Sequence, residues 1–289
     1  MSLLLAEQAL NGLQLGTMLF LMAAGLTLVF GIMNLVNLAH GSLYMMGAYF
    51  TATLVPVTGS LLLAAVLSFA ATALLGIILD LAILRNFYGR DHLDQVLATF
   101  GLILFFNEMV RMVWGPQAYF LALPPSLNGT IELLPGLPYP VFRLVVIGVG
   151  LTVALLLSLL ITRTRIGMLI RAGASNRPMV EALGVNIRLL YTLVFGLGAA
   201  LAGLAGTMAG PLLAVQVGMG DGVLILTLVV IVIGGIGSIR GAFIAALLIG
   251  LIDTFGRMLL PAALAEMAIY IFMAAVLFHR PQGLFPAHG

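Results

Sequence analysis

Residues 141–162 read VFRLVVIGVGLTVALLLSLLIT, with Arg143 as the only charge. About twenty apolar residues are what a helix needs to cross roughly 30 Å of hydrocarbon. Comparable runs occupy approximately 12–31, 35–55, 61–84, 95–114, 189–211, 222–238, 242–259 and 263–278. Across the 289 residues 62% are hydrophobic and only 8% charged, whereas a soluble domain carries about a quarter charged. Such a surface could not face water. The expected fold class is all-α, a polytopic helical membrane protein with eight or nine transmembrane segments. Gly and Asn interrupt the pattern around Asn34 to Gly41 and Gly218 to Gly222, so some segments are expected to be broken or re-entrant. The first run is too long, too Gly-rich and too poor in basic flanks to be a removable signal peptide.

The run ends at Arg163, and residues 163–188, RTRIGMLIRAGASNRPMVEALGVNIR, hold five of the chain's twelve Arg. Arg85, Arg90, Arg240 and Arg280 lie at other helix ends consistent with the same face. By the positive-inside tendency that face is cytoplasmic, as is the C-terminus. Residues 115–139 have five Pro, no basic residue and one Glu, and read as an ordered external loop. The N-terminus falls outside with nine spans and inside with eight.

Several chemistries are excluded. Without Cys there are no disulfides, Cys-ligated zinc sites or iron–sulfur clusters. A net charge of +2 without a basic stripe is too little for nucleic acid. HExxH, GxSxG and GxxxxGK[ST] do not occur, and GGIGSIRG from Gly234 lacks the Lys-Ser/Thr pair of a phosphate loop. His40, His92, His279 and His288 have no ligand spacing, so neither a metal nor a catalytic constellation is expected.

Within 163–188, Ile166–Ala174 and Pro178–Leu183 have helical character, separated by the polar SNRP and ended by Gly184. Pro178 suits a first helical turn. The short second helix is expected to bury Met179, Val180 and Leu183, and a helix with no domain of its own to pack on points to a partner chain. RIGMLIRAGASNRPMVEALGVNI resembles the cytoplasmic coupling segment of the permease subunits of bacterial ABC importers for branched-chain amino acids, the LivH type. GLTLVFGIMNLVNLAHGSLYMMGAY, IGGIGSIRGAFIAALLIGLID and the final PQGLF are similar to other blocks of that family, in the same order.

The resemblance implies that residues 1–289 are one importer transmembrane domain in a bacterial inner membrane, non-catalytic and without a cofactor. ATP would be bound and hydrolysed by two cytoplasmic ATPase subunits. A homologous second permease subunit (LivM-like), a periplasmic substrate-binding protein and membrane lipid complete its partners. Arg171, Ala172, Glu181 and Gly184 fit the family's coupling pattern. Asn176 stands where an acidic residue is usual, so that position offers no salt bridge.

Polar groups in hydrocarbon need partners and are functional candidates by default. Asn34, Asn37 and His40, spaced three apart and followed by Gly41, read as a polar stripe. They would either line a translocation path or bridge the free backbone groups of a broken helix. Glu108 and Arg111 can pair one turn apart, as can Asp253 and Arg257. The leading expectation is ATP-driven uptake of branched-chain amino acids by alternating access. An ABC permease for urea or short-chain amides is the nearest alternative, and a proton-coupled secondary transporter relaying through Asp253 the next.

Overall fold

The computed structural model describes residues 2–285; residues 286–289, with His288, lie outside them. Among the described residues seven helices are long and apolar enough to cross a membrane. They are α1 (Ser2–Met33), α3 (Leu61–Ala82), α4 (His92–Trp114), α5 (Val141–Arg163), α8 (Ile187–Ala209), α10 (Ile239–Leu259) and α11 (Ala262–His279). An eighth apolar helix, α9 (Met219–Gly234), has only 16 residues, roughly 24 Å at 1.5 Å per residue and short of a bilayer core.

The count is therefore seven or eight, not the eight or nine expected. Residues 35–55, counted as a span in the sequence, form α2 (His40–Thr58), which is not among the seven. It buries His40, Ser42, Tyr44, Tyr49 and Thr51. A helix packed against α3, α4, α8 and α9 need not be uniformly apolar, because its neighbours rather than lipid meet its polar groups.

The centre is built from close backbone approaches. Gly12 and Gly16 of α1 lie against Gly250 and Ala246 of α10, Gly25 against Gly198 of α8, and Gly203 of α8 against Thr72 of α3. Without tails to obstruct them the helices gain dispersion contact along their length, which is the main attraction available where water does not drive association. A buried hydroxyl cluster, Thr51, Ser68 and Thr207 around the Gly47 carbonyl, ties α2, α3 and α8 together, with Thr51 Oγ1 2.8 Å from Thr207 Oγ1.

The bundle has two chemically distinct ends. At one, Asn11 of α1 accepts a hydrogen bond from Tyr139 at 3.1 Å and another from Arg143. Here the 115–139 loop folds into an antiparallel hairpin, β1 (Thr130–Leu134) and β2 (Leu137–Pro140), turning through Gly136 at φ 84. Trp114 Nε1 donates to Thr53 at 2.8 Å, and Tyr119 forms a bridge with Val215. At the other end lie α6 (Arg165–Ser175) and α7 (Arg177–Ala182). The α9–α10 turn meets the end of α1 there through Gly237 and Gly31. The tail PQGLF straps that turn, Leu284 N donating to the Ile233 carbonyl at 2.8 Å and Phe285 N to that of Gly234 at 3.1 Å. Since α1 runs from the hairpin end to the arginine-rich end, the first described residues lie on the side opposite α6 and α7.

Candidate functional site

Both expected breaks exist, and they meet. After Met33 the chain leaves helical geometry until His40, and α9 starts only after the left-handed Gly218. A Cβ on Gly41 would come within 2.7 Å of the Gly220 carbonyl, so the N-terminal turns of α2 and α9 cross backbone to backbone. The expected stripe of Asn34, Asn37 and His40 on one helical face is not formed. Asn34 turns the chain at φ 51, a left-handed conformation that Asn tolerates better than most residues, and the three side chains separate.

Two residues of α4 do the bridging that the asparagines were candidates for. Gln95 Oε1 accepts from Val36 N at 3.1 Å and Thr99 Oγ1 from Leu38 N at 3.2 Å. That leaves the side chains of the break unclaimed. Both amide atoms of Asn37, Nδ1 of His40 and the hydroxyl of Tyr44 are buried without a hydrogen-bond partner. His40 Nε2 lies 3.3 Å from the Met22 carbonyl. A carbonyl can only accept, so Nε2 carries the proton and Nδ1 is left as an acceptor. Unpaired polar groups cost about 1–3 kcal/mol each, and these four atoms find no partner among the described residues.

Asp253 is not part of this cluster. It lies on α10 among buried positions, its carboxylate 2.9 Å from Arg257 Nε. Glu108 and Arg111 pair as expected, at 2.8 Å.

On the 163–188 loop, Thr164 caps α6 by accepting from Gly167 N at 3.0 Å. Asn176 caps α7 by accepting from Met179 N at 3.1 Å. Asn176, from which no salt bridge was expected, thus serves as an N-cap, a role Asn fills well. Gly184 ends the segment at φ 85. Only Val180 of α7 packs inward; Met179 and Leu183, expected to be buried, are 59% and 75% exposed. Arg171 and Ala172 lie on α6, Arg171 exposed and Ala172 half-buried.

The loop is joined to the bundle through Glu181, an expected coupling residue, together with residues that the sequence reading passed over. Arg177 pairs with Glu181 at 3.5 Å, and its guanidinium stacks 5.1 Å over the ring of Tyr191. Tyr191 meets Tyr88 edge-on at 5.4 Å, and the Tyr88 hydroxyl donates to Asp80. Thr192 Oγ1 donates to the same carboxylate at 2.6 Å. Asp80 is a lone acid in the apolar run of α3, and that isolation was the available signal. Tyr88→Phe and Thr192→Val should each destabilise the chain by about 1–3 kcal/mol. Because they share one carboxylate, the double variant should lose less or more than their sum. Thermal unfolding of the detergent-purified chain measures this, and strict additivity would contradict a shared network.

A cavity of about 810 Å³ opens at the arginine-rich end, between the last turns of α1, the end of α5, α6 and the α9–α10 turn. Asn34 and Arg171 both line it, so one expected path residue and one expected coupling residue share a wall.

The family described as branched-chain amino acid transport system, permease component, matches residues 8–278. The chain is similar to the high-affinity branched-chain amino acid transport system permease protein BraD of Pseudomonas aeruginosa. The two are 30% identical over 292 residues, 96% of this chain and 94% of the relative. LivH of Escherichia coli, named in the same terms, is 28% identical over 294 residues, again 96% and 94%. A probable branched-chain amino acid transport permease protein LivH of Methanocaldococcus jannaschii is 26% identical over 286 residues, 92% and 88%. No solved structure gives a significant match.

Proposed function

This chain belongs to the permease component family of branched-chain amino acid transport systems, and from that premise we propose that it is the transmembrane permease subunit of an ATP-driven importer for branched-chain, hydrophobic amino acids. The observation that carries the reading is the family match from residue 8 to residue 278, which takes in both breaks and the loop that bears α6 and α7. A second, homologous permease chain completes the channel. Two cytoplasmic ATPase subunits supply the energy, and a periplasmic binding protein delivers the substrate. The arginine-rich end faces the cytoplasm, as the positive-inside tendency favours, and the hairpin end and N-terminus face the periplasm.

The mechanism is alternating access. Substrate enters between the hairpin-end loops and meets the crossing of α2 and α9, where the helix N-termini favour a carboxylate and apolar walls favour a branched side chain. Asn37, His40, Gly41 and Tyr44 surround that crossing. Closure of the ATPases displaces α7, whose Glu181 holds Arg177 against Tyr191. The Tyr191–Tyr88–Asp80 contacts pass the movement to α8 and α3, and α8 carries it to α2 through their glycine contacts. Arg171, Ala172 and Gly184 shape the surface the ATPase meets, and the Asn176 cap keeps α7 wound.

Co-expression with the partner chains, followed by purification through this subunit and reconstitution, tests the reading. Leucine uptake should require ATP and the binding protein, and exceed urea or acetamide uptake by at least about tenfold. Asp253→Asn should retain uptake, since Asp253 is engaged by Arg257 and lies apart from the break. Uptake driven by a proton gradient without ATP, and lost in Asp253→Asn, would replace this mechanism with secondary transport. Preference for urea or a short amide would keep the class and change the substrate.

A further inference from the structure

The cavity at the arginine-rich end presents three kinds of group that match three parts of one ligand. Arg171 of α6 supplies a guanidinium, and among the described residues no carboxylate lies within ion-pair range of it. The last turn of α1 supplies carbonyl oxygens. That of Phe30 accepts from Asn34 N at 3.0 Å, but no backbone N–H of the described residues reaches those of Gly31 or Ile32. Helix ends leave such carbonyls unsatisfied, and the helix dipole makes them attractive to a cation. Ile32, Ile161 and Ile170 supply branched apolar walls.

Thr27, one turn above, lines the same cavity, and its buried hydroxyl has no hydrogen-bond partner. At about 810 Å³ the space lies within the range of small-molecule sites.

We infer that this cavity is a product-side binding site for a free hydrophobic amino acid, whose occupancy holds α6 against α1 and slows transport from the cytoplasmic side. The carboxylate lies on Arg171, the ammonium at the carbonyl end of α1, and the aliphatic side chain against the isoleucines. A lone basic residue would serve any anion. The guanidinium and the helix carbonyl end together select a zwitterion, and the isoleucines select its side chain. Because one wall is α6, a ligand that binds best when α6 and α1 are close opposes their separation by the same factor. Accumulated product would thereby restrain further import. The inference rests on the proposed function, which puts α6 on the cytoplasmic coupling loop.

The test uses the complete assembly in nanodiscs of zwitterionic lipid, without the binding protein, and reads radiolabelled leucine binding. Saturable binding is expected, at least about tenfold weaker for leucinol and for 4-methylpentanoate, each of which lacks one charge. Arg171→Gln should weaken leucine about tenfold and Thr27→Val by about threefold. Thr27→Val should also raise the Tm of the ligand-free assembly, because it removes an unpaired buried hydroxyl. A role confined to packing would give no such opposition of affinity and stability.

In sealed liposomes, leucine enclosed with ATP on the ATPase side should slow uptake of external leucine. Leucine-free liposomes run in parallel separate the two readings: no uptake there refutes the proposed function itself. Uptake intact there, with no leucine binding or with binding indifferent to both substitutions, overturns the cavity as its site. Binding that appears only with anionic phospholipid and follows Arg171 would identify a lipid headgroup and overturn it equally.

Discussion

Replacing Met179 and Leu183 with Asp is expected to abolish recovery of the ATPase subunits with this chain and to reduce ATP-driven uptake to background. The two side chains stand 59% and 75% exposed on α7 and at its C-cap, outside every helix long and apolar enough to cross a membrane. Fully burying a Leu or Met side chain is worth about 1.5–3 kcal/mol. Losing two, and requiring two carboxylates to be desolvated in their place, gives at least about 4 kcal/mol, or roughly a thousandfold in affinity. The isolated chain should unfold at an unchanged Tm, because only Val180 of α7 packs inward. Val180→Asp is the informative contrast, since it should lower the Tm itself. Full ATPase recovery with the Met179/Leu183 double variant would remove α7 from the docking surface.

The separation between Val180 and its two neighbours also marks what the sequence could and could not convey. Apolar spacing disclosed that α7 exists, and Pro178 and Gly184 bounded it, because those signals act within a few residues. Which apolar face turned inward depended on the position of α8, a tertiary fact. The same distinction separates the long spans from α2. Length and hydropathy identify helices that meet lipid. They misjudge α2, where His40, Tyr44 and Tyr49 are buried against neighbours.

Local punctuation located both breaks, at Asn34 and Gly218, yet could not tell that they touch through Gly41 and Gly220. Nor could spacing assign backbone satisfaction to Gln95 and Thr99, which lie some sixty positions along the chain. Thr27 is a single hydroxyl in an apolar run, and only the enclosure formed by α1, α5, α6 and the α9–α10 turn gives its unpaired hydroxyl meaning. Asp80 was legible by rule, as an acid alone in an apolar run, and its partners Tyr88 and Thr192 were not.

Gly220→Val is expected to eliminate uptake, and to do so with a fall in stability that the neighbouring Gly222→Ala does not share. A Cβ at Gly220 would collide with the Gly41 carbonyl, and one at Gly41 would press on the Gly220 carbonyl at 2.7 Å. Both obstacles are backbone, so neither can rotate away as a side-chain tip would. A Cβ at Gly222 meets nothing within 4 Å. Overpacking in a tight interior costs about 1–3 kcal/mol and sometimes more, which should appear as a lowered Tm of the purified assembly. The functional loss should exceed what that instability explains. Forcing α2 from α9 displaces the N-terminal turns that line the proposed path, so even the folded fraction should transport at less than about a tenth of the normal rate. Gly41→Ala, with one methyl at the wider of the two contacts, is the graded variant and should lie between. If Gly220→Val assembled normally and transported at the Gly222→Ala rate, the crossing would be a packing detail and the path would run elsewhere. A stable but inactive Gly220→Val would instead make the backbone contact at Gly41 the point at which the two broken helices govern passage.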